Sequence, residues 1–335
     1  MSTERSGGVR QTPGGRRIPH DLRVELYLFV RSLHDRGNSY REIQRIVEGR
    51  YGVRISRSNI SYWVRGLHSP LNEPYNHLDT SRERDLAWIA GMLAGDGSIK
   101  VNRKGRFLAL KVRDRELAEE AARRLAVVMG RVRPYAVNRL GDGRYYVQVQ
   151  SRELVDHLGS REGVLAYLER RPREFIRAFF DCEGCCYGSI SRLGYFKCGI
   201  TVANTDRGLL ERIRLKLEEL GIASSRVLRL YAEGRVIRTS KGEARARKTC
   251  YYFEIRGLEN LKAFQKEIGF VSKRKRRKLA DVIDILGRSR DSVVAAVEWI
   301  RRYEYRVGLG RERWFPRELP LSLEEAWEEY ERHTE

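Results

Sequence analysis

Apolar residues near the start of the chain recur at helical spacing in three short runs. Gly37 ends the first run, and Ser39 and Glu42 then form a capping box that begins the second. Ser56 can cap the third run, which follows a turn over residues 51–55. The pattern predicts three helices whose buried faces carry Leu22, Leu26, Phe29, Val30, Leu33, Ile43, Ile46, Val47, Ile60, Trp63, Val64 and Leu67.

The tight turn before the third run is typical of a helix-turn-helix, so we predict an all-α DNA-binding domain of this kind over residues 19–72. The last helix of the motif enters the major groove by its N-terminal residues, where arginine and asparagine suit guanine and adenine edges. The candidate DNA-binding residues are Arg57, Ser58, Asn59, Tyr62 and Arg65. A three-helix module for protein contacts is the alternative. The stretch also resembles the helix-turn-helix of resolvases and transposases.

Beyond a linker at residues 73–82, the hydrophobic pattern runs through the same order twice. Alternating apolar and polar positions predict pairs of strands, and longer periodic runs predict helices. We therefore predict an α+β fold with two αββαββα units, at residues 83–170 and 171–287. Residues 1–18 are predicted to be a disordered basic arm, and residues 288–335 a C-terminal helical tail of unknown role.

Each unit begins with a short apolar helix that ends in a carboxylate followed by glycine. The first is IAGMLAGDG over residues 89–97, and the second is IRAFFDCEG over residues 176–184. Small residues four positions apart lie on one helical face, so two such helices can approach closely and end together. This arrangement would place Asp96 beside Glu183. The predicted helix interface consists of Gly91, Gly95, Ala178 and Cys182.

Two adjacent carboxylates repel, so the pKa of one of them rises unless a cation neutralises the pair. A hard divalent ion with oxygen ligands does this, and we predict Mg²⁺ (or Mn²⁺) as the cofactor. The predicted metal site contains Asp96 and Glu183 together with the preceding Gly95 and Cys182. The alternative is that both acids are solvated helix ends. That alternative would not explain the small residues beside them.

The cysteines allow a second interpretation of the metal chemistry. Cys182, Cys185, Cys186 and Cys198 have a spacing that a zinc cluster could use. However, Cys182 is needed in the predicted helix interface, and no histidine lies nearby in the sequence. The odd total of five clustered cysteines also does not fit a secreted disulfide framework.

The composition of the chain indicates the class of its binding partner. The 335 residues include 66 Lys and Arg against 45 Asp and Glu, which gives a formal net charge of +21. A balance this basic, spread along the chain, indicates a nucleic-acid partner. We find no apolar signal-peptide segment at the N-terminus and no run long enough to span a bilayer. We therefore expect a soluble cytoplasmic protein that binds no membrane and, in a prokaryote, associates with the nucleoid.

The two nine-residue motifs, each followed by a pair of strands, resemble those of the LAGLIDADG homing endonucleases, and the resemblance covers residues 83–285. It implies two antiparallel sheets related by a pseudo-twofold axis, which form a saddle over double-stranded DNA. It also implies a monomer in which Asp96 and Glu183 are catalytic and coordinate the metal. Each half would cut one strand at a long asymmetric target, giving a staggered break across the minor groove.

The family usually has a basic residue near the scissile phosphate as well. Arg113 in the first half and Lys197 in the second lie in suitable strands, so we predict catalytic roles for both. Alternation places every second strand residue on the DNA face, and a basic run over residues 273–278 can grip phosphates. The DNA-binding candidates in this part of the chain are Lys100, Lys111, Lys248, Lys273 and Arg274.

Two other functions fit the same residues. A transcription regulator can keep this fold after losing cleavage, although both carboxylates are present here. An RNA maturase of the same family would bind intron RNA in place of duplex DNA. The sequence does not identify the target site or the host intron or mobile element.

Overall fold

The three N-terminal helices form a unit of their own. The structure is a computed structural model that describes residues 18, 20–67, 69–71, 77–131, 133–239, 242–308 and 311–334. It divides into the units Met1–Asn76 and His77–Glu335. The first unit contains α1 (His20–Asp35), α2 (Tyr40–Tyr51) and α3 (Arg57–Val64). Apart from Ile18, the predicted basic arm lies outside the described residues, as do residues 73–76 of the predicted linker.

Local sequence explains how these helices begin and end. The capping box is present: the Ser39 side chain accepts a hydrogen bond from the Glu42 N–H, and the Glu42 carboxylate accepts one from the Ser39 N–H at 2.7 Å. Gly52, with φ 64°, ends α2 in the left-handed conformation. Leu67 was predicted to be buried but is 62% exposed, because α3 ends at Val64. The core consists of Leu26, Val30, Leu33, Ile43, Val47, Ile55, Ile60 and Trp63.

The second unit of the chain contains the predicted repeat. Its first half forms one antiparallel sheet, in the order β1-β2-β4-β3, with helices on one face. The elements are α4 (Glu83–Ala94), β1 (Gly97–Asn102), β2 (Gly105–Val112), α5 (Arg115–Val128), β3 (Asn138–Arg139), β4 (Tyr145–Gln150), α6 (Arg152–Leu158) and α7 (Arg161–Arg170).

The other half repeats this topology with a sheet in the order β5-β6-β10-β7, which confirms the duplicated αββαββα order. A ribbon, β8–β9, interrupts it where the first half has only a turn at residues 140–144. The elements are α8 (Pro172–Glu183), β5 (Gly184–Ile190), β6 (Phe196–Asn204), α9 (Arg207–Glu219), β7 (Leu228–Tyr231), β8 (Val236–Thr239), β9 (Gly242–Arg245), β10 (Cys250–Ile255), α10 (Leu258–Glu267) and α11 (Lys273–Arg288).

Each sheet buries one face and leaves the other open, as period-two alternation requires. In the first sheet, Leu108 and Leu110 lie opposite Val149 and Val147, and all four side chains are buried. In the second sheet, Ile200 and Val202 lie opposite Ile255 and Phe253 in the same way. The intervening residues are more polar and define the open face of each sheet.

The C-terminal segment differs from the predicted helical tail, because a β ribbon separates its two helices. The elements are α12 (Ser292–Arg302), β11 (Tyr303–Gly308), β12 (Arg311–Pro316) and α13 (Leu323–Thr334). Trp299 stacks on Tyr303 with ring centroids 3.8 Å apart and also contacts Trp314. A Cβ added at Gly188 of β5 would lie 2.6 Å from the Trp299 ring. The segment therefore belongs to the hydrophobic core of the second half.

Candidate functional site

The helices α4 and α8, which carry the two repeated motifs, pack against each other at very close range. A Cβ added at Gly95 would lie 2.6 Å from the Cys182 Cβ, so these two predicted interface residues are in contact. A Cβ added at Gly91 would lie 2.1 Å from the Phe175 carbonyl oxygen. Gly91 therefore faces the α8 backbone at Phe175 and not the predicted partner Ala178, which is fully buried. The missing side chain at Gly91 leaves room for that carbonyl group.

The two carboxylates lie where these helices end. Burial and, as a smaller effect, the negative charge of Asp96 raise the pKa of Glu183 to about 7. Asn204 opposes this increase by donating a hydrogen bond from Nδ2 to Glu183 Oε1 at 3.2 Å. Desolvation also raises the pKa of Asp96, although Lys275 and Arg144 lower it. Two neighbouring carboxyl groups with raised pKa values form a site whose charged state a cation would stabilise.

The donor set fits a hard divalent ion. Mg²⁺ keeps several waters and typically takes one or two protein carboxylates together with substrate phosphates. Asp96 and Glu183 supply that number of carboxylates. Within the described ranges, no group of three or more His, Cys, Asp or Glu residues is arranged to hold a metal ion by itself. The zinc alternative fails on geometry, because the adjacent Cys185 and Cys186 lie on opposite faces of β5, one exposed and one buried.

A cleft of about 300 Å³ opens beside Asp96, and we call it the Asp96 cleft. Arg113 is exposed at its edge, directly after β2. Asp142 forms ion pairs with two of the lining residues, at 3.1 Å to Lys111 Nζ and 2.6 Å to the Arg144 guanidinium. The charged residues that line the cleft are Asp96, Lys111, Arg113, Asp114, Arg144, Asp181, Arg274 and Lys275.

Sequence reasoning missed the part that Lys275 plays in this cleft. The residue is only 7% exposed, and its Nζ donates hydrogen bonds to the carbonyl oxygens of Phe180 (3.0 Å) and Asp181 (2.5 Å). The Asp181 carboxylate in turn accepts from the backbone N–H groups of Val271 (2.8 Å) and Ser272 (3.1 Å). These bonds attach the start of α11 to the end of α8. The hint of this contact in the sequence was the aspartate at residue 181, because the first motif has alanine at the equivalent position.

Most of the other predicted basic residues are accessible. Lys100 is exposed on the open face of β1, and Lys248 is exposed in the bend before β10. Within the basic run, Lys273 and Arg274 are exposed, and Arg274 pairs with Asp114 at 3.5 Å. The run is therefore split, because its third residue points into the protein while the first two face solvent.

Lys197 lies away from the carboxylates, contrary to the role predicted for it. The register places Lys197 opposite Ser189, whereas Val202 is the residue opposite Gly184 at the end of the strand pair next to Glu183. Five residues of a strand span about 17 Å. The geometry thus favours Arg113 over Lys197 as a basic residue beside the carboxylates.

In the N-terminal unit, α3 presents the residues predicted to bind DNA. Arg57, Ser58 and Asn59 are exposed at its N-terminus, and Tyr62 and Arg65 are exposed about one turn later. The opposite side of α3 is buried in the core of this unit.

The raised pKa of Glu183 predicts how the stability of the metal-free protein depends on pH. Its folded-state pKa of about 7 exceeds the ordinary value of 4.5, so between these values the folded state binds more protons than the unfolded state. The free energy of unfolding should therefore fall as pH rises through this window. Urea denaturation in EDTA at several pH values measures the slope, and Glu183→Gln should make it flatter. An unchanged slope in that variant would contradict the assignment.

Among the described residues, no helix has the length and apolar character needed to cross a membrane.

A family model described as a LAGLIDADG-like domain matches residues 83–163 and 171–269. An uncharacterized protein of Methanocaldococcus jannaschii is 26% identical over 266 residues, which cover 78% of this chain and 94% of that protein. The replication factor C small subunit of Thermococcus kodakarensis is 32% identical over 138 residues, which cover 38% of this chain and 13% of that protein.

Two solved structures show a similar fold at low sequence identity. The meganuclease I-AabMI bound to uncleaved DNA has a TM-score of 0.42 and 15% identity, and the match covers 64% of this chain and 96% of that chain. I-DmoI in complex with DNA and Mn has a TM-score of 0.36 and 16% identity, with coverage of 56% and 97% respectively.

Proposed function

Because this chain belongs to the LAGLIDADG-like family, we propose that it is a site-specific double-strand DNA endonuclease that uses a divalent metal ion. The observation that carries the proposal is the pair of carboxylates, Asp96 and Glu183, at the adjoining ends of two closely packed helices. Hydrolysis adds a water oxygen to phosphorus and breaks the P–O bond to one deoxyribose. That deoxyribose oxygen takes up a proton, and the products are a phosphate monoester and a hydroxyl end.

Asp96 and Glu183 would hold Mg²⁺ or Mn²⁺ at the site. When bound, such an ion lowers the pKa of a coordinated water and stabilises negative charge on the phosphate. Basic residues of the chain attract the phosphate and hold the site in position. Arg113 and Arg144 attract the phosphate into the Asp96 cleft, and Lys275 fixes the end of α8 so that Glu183 keeps its position.

The open faces of the two sheets supply the DNA-binding surface in this proposal. Lys100 and Lys111 of the first sheet contact phosphates or bases, and Lys248, Lys273 and Arg274 add phosphate contacts. The two halves differ at most positions, so the target is asymmetric and one chain is sufficient to bind it.

We assign the exposed face of α3 to a second DNA contact, made through the major groove. The double variant Arg57→Ala/Asn59→Ala should weaken binding to the target by about thirtyfold or more, because two side chains that each contribute about 1–3 kcal/mol of base recognition together contribute at least about 2 kcal/mol. The positions of the cuts should not change. Gel-shift titration and sequencing of cut ends measure the two quantities, and Glu48→Gln, an exposed change on α2, is the control. Unchanged affinity would remove α3 from the interface.

The proposed function is tested with purified protein, Mg²⁺ and a large randomised duplex library. The variant Asp96→Asn/Glu183→Gln is incubated in parallel, and newly made ends are sequenced. Staggered ends at one long asymmetric site, absent with the variant, are the expected result. Specific retention of duplexes without new ends would support a regulator instead, and selective retention of structured RNA would support a maturase.

A further inference from the structure

The two halves of the repeat can be compared position by position around their carboxylates. The first residues of β1 and β5 lie opposite Leu110 and Val202 respectively. Residues 111–114 therefore correspond to residues 203–206. The helices that follow confirm this alignment, because each stretch ends in an aspartate that is the N-cap residue of the next helix.

The same comparison extends to the other walls of the site. Tyr145 and Tyr251 lie opposite the last residues of β2 and β6, so the residues that precede them correspond to each other. The helices α7 and α11 both begin after a serine whose side chain caps the helix, which aligns residues 162–163 with residues 274–275.

This alignment shows that five basic residues on the Asp96 side have no basic counterpart on the Glu183 side. Beside Asp96, five basic side chains line the cleft, and each of their counterparts beside Glu183 is uncharged or acidic. The residues Lys111, Arg113, Arg144, Arg274 and Lys275 correspond to Ala203, Thr205, Cys250, Glu162 and Gly163 respectively.

A second cleft, of about 310 Å³, is lined by residues of both halves, and we call it the Glu183 cleft. Asn204 lines it and donates a hydrogen bond to Glu183. Of the described residues, Arg161 is the basic side chain in its lining, and Asp206 accepts hydrogen bonds from it at 2.8 and 3.0 Å. A lysine in place of Gly163 is disfavoured, because a Cβ there would lie 2.8 Å from a backbone carbonyl oxygen.

We propose that the protein cuts the two DNA strands in a fixed order, so that a nicked duplex is the intermediate. The strand whose phosphate enters the Asp96 cleft is cut first. This inference rests on the proposed endonuclease function and adds the order of the two hydrolysis steps. Negative charge increases on the phosphate in the transition state, so basic groups already in place accelerate the step on their own side.

Arg113 is the residue best suited to test this order. It is exposed, and no described residue forms an ion pair with it, whereas Lys111 and Arg144 share Asp142. Its counterpart Thr205 is exposed as well, so an arginine there can be accommodated. Exchanging these two side chains moves one charge from one cleft to the other without altering the carboxylates.

The kinetic test uses the duplex recovered from the library, with each strand labelled separately, and Mg²⁺. The first strand should be cut at least about tenfold faster than the second, with a nicked intermediate. Arg113→Thr should reduce this ratio, and Arg113→Thr/Thr205→Arg should bring it to one or reverse it. Lys262→Thr is the control, since it removes an exposed charge from α10, a helix that carries none of the proposed DNA contacts, and should leave the ratio unchanged.

A metal-free binding test examines the same asymmetry. The phosphate at either cut is replaced by an uncharged methylphosphonate, and the Kd is measured in EDTA. Neutralising the phosphate of the first-cut strand should weaken binding by about threefold to tenfold, which is the effect of one lost phosphate contact. Neutralising the other should change the Kd by less than about twofold. Arg113→Thr should reduce the difference.

The outcomes separate this inference from the function on which it rests. Equal rates on the two strands and equal losses of affinity would overturn the strand order while leaving the endonuclease intact. A strand bias that persists in Arg113→Thr/Thr205→Arg would overturn the assignment to the basic cleft. If no duplex is retained or cut, the proposed function itself fails and the strand order fails with it.

Discussion

Asp96→Asn or Glu183→Gln alone is expected to abolish double-strand cleavage while leaving DNA affinity nearly intact. Both carboxylates belong to the proposed metal site, so losing either charge should weaken metal binding and remove transition-state stabilisation. We expect a fall in the cleavage rate of about 10³-fold or more. Affinity should persist because the phosphate contacts come from basic side chains elsewhere in the protein.

The measurement is a single-turnover cleavage assay beside a gel-shift titration of the same duplex. Asp142→Asn is a suitable control, because it removes a nearby carboxylate that pairs with Lys111 and Arg144 but does not adjoin Glu183. That variant should still cleave. Full cleavage by either Asp96→Asn or Glu183→Gln would refute the assignment of the metal site.

Gly91→Ala is expected to destabilise the repeat unit by about 3 kcal/mol or more. The new Cβ would lie 2.1 Å from the Phe175 carbonyl oxygen, so α4 and α8 must separate or shift. Overpacking typically costs 1–3 kcal/mol, and a clash with backbone cannot be relieved by changing a rotamer. Because the carboxylates terminate these helices, cleavage should also fall.

Gly287→Ala is the matched control for this change. Gly287 lies in α11, and an added Cβ there would meet no atom within 4 Å. The substitution should increase the free energy of unfolding by about 0.5–1 kcal/mol through helix propensity. Urea denaturation of the two variants compares them directly. Equal stability of Gly91→Ala and the unsubstituted protein would show that the helices are not held at this distance.

Much of the architecture could be predicted because local and long-range patterns agree. The capping box fixed the start of α2, and the two motifs located α4 and α8 together with the strands that follow them. The β8–β9 ribbon was not predicted, because the residues of β9 are all exposed and so carry no alternation of apolar and polar positions.

The site was predictable to a smaller extent. Asp96 and Glu183 follow from the repeated motif, and burial raises the pKa of Glu183 together with the charge of Asp96 that the sequence led us to expect. The burial of Lys275 and the position of Arg144 depend on how distant segments meet, which no local pattern contains. Lys197 was predicted to be catalytic because it lies in a suitable strand. Only the register shows that it lies at the end of β6 that is farther from Glu183.

The close packing of α4 against α8 also has a consequence for biogenesis. As the chain leaves the ribosome, α4 emerges well before α8, and its buried residues lack the contacts with α8 until that helix has emerged. Trp299, which stacks on Tyr303 in the core of the second half, emerges later still. Nascent chains with exposed apolar surface are prone to aggregate, so chaperone capture during this interval would protect the unfinished repeat.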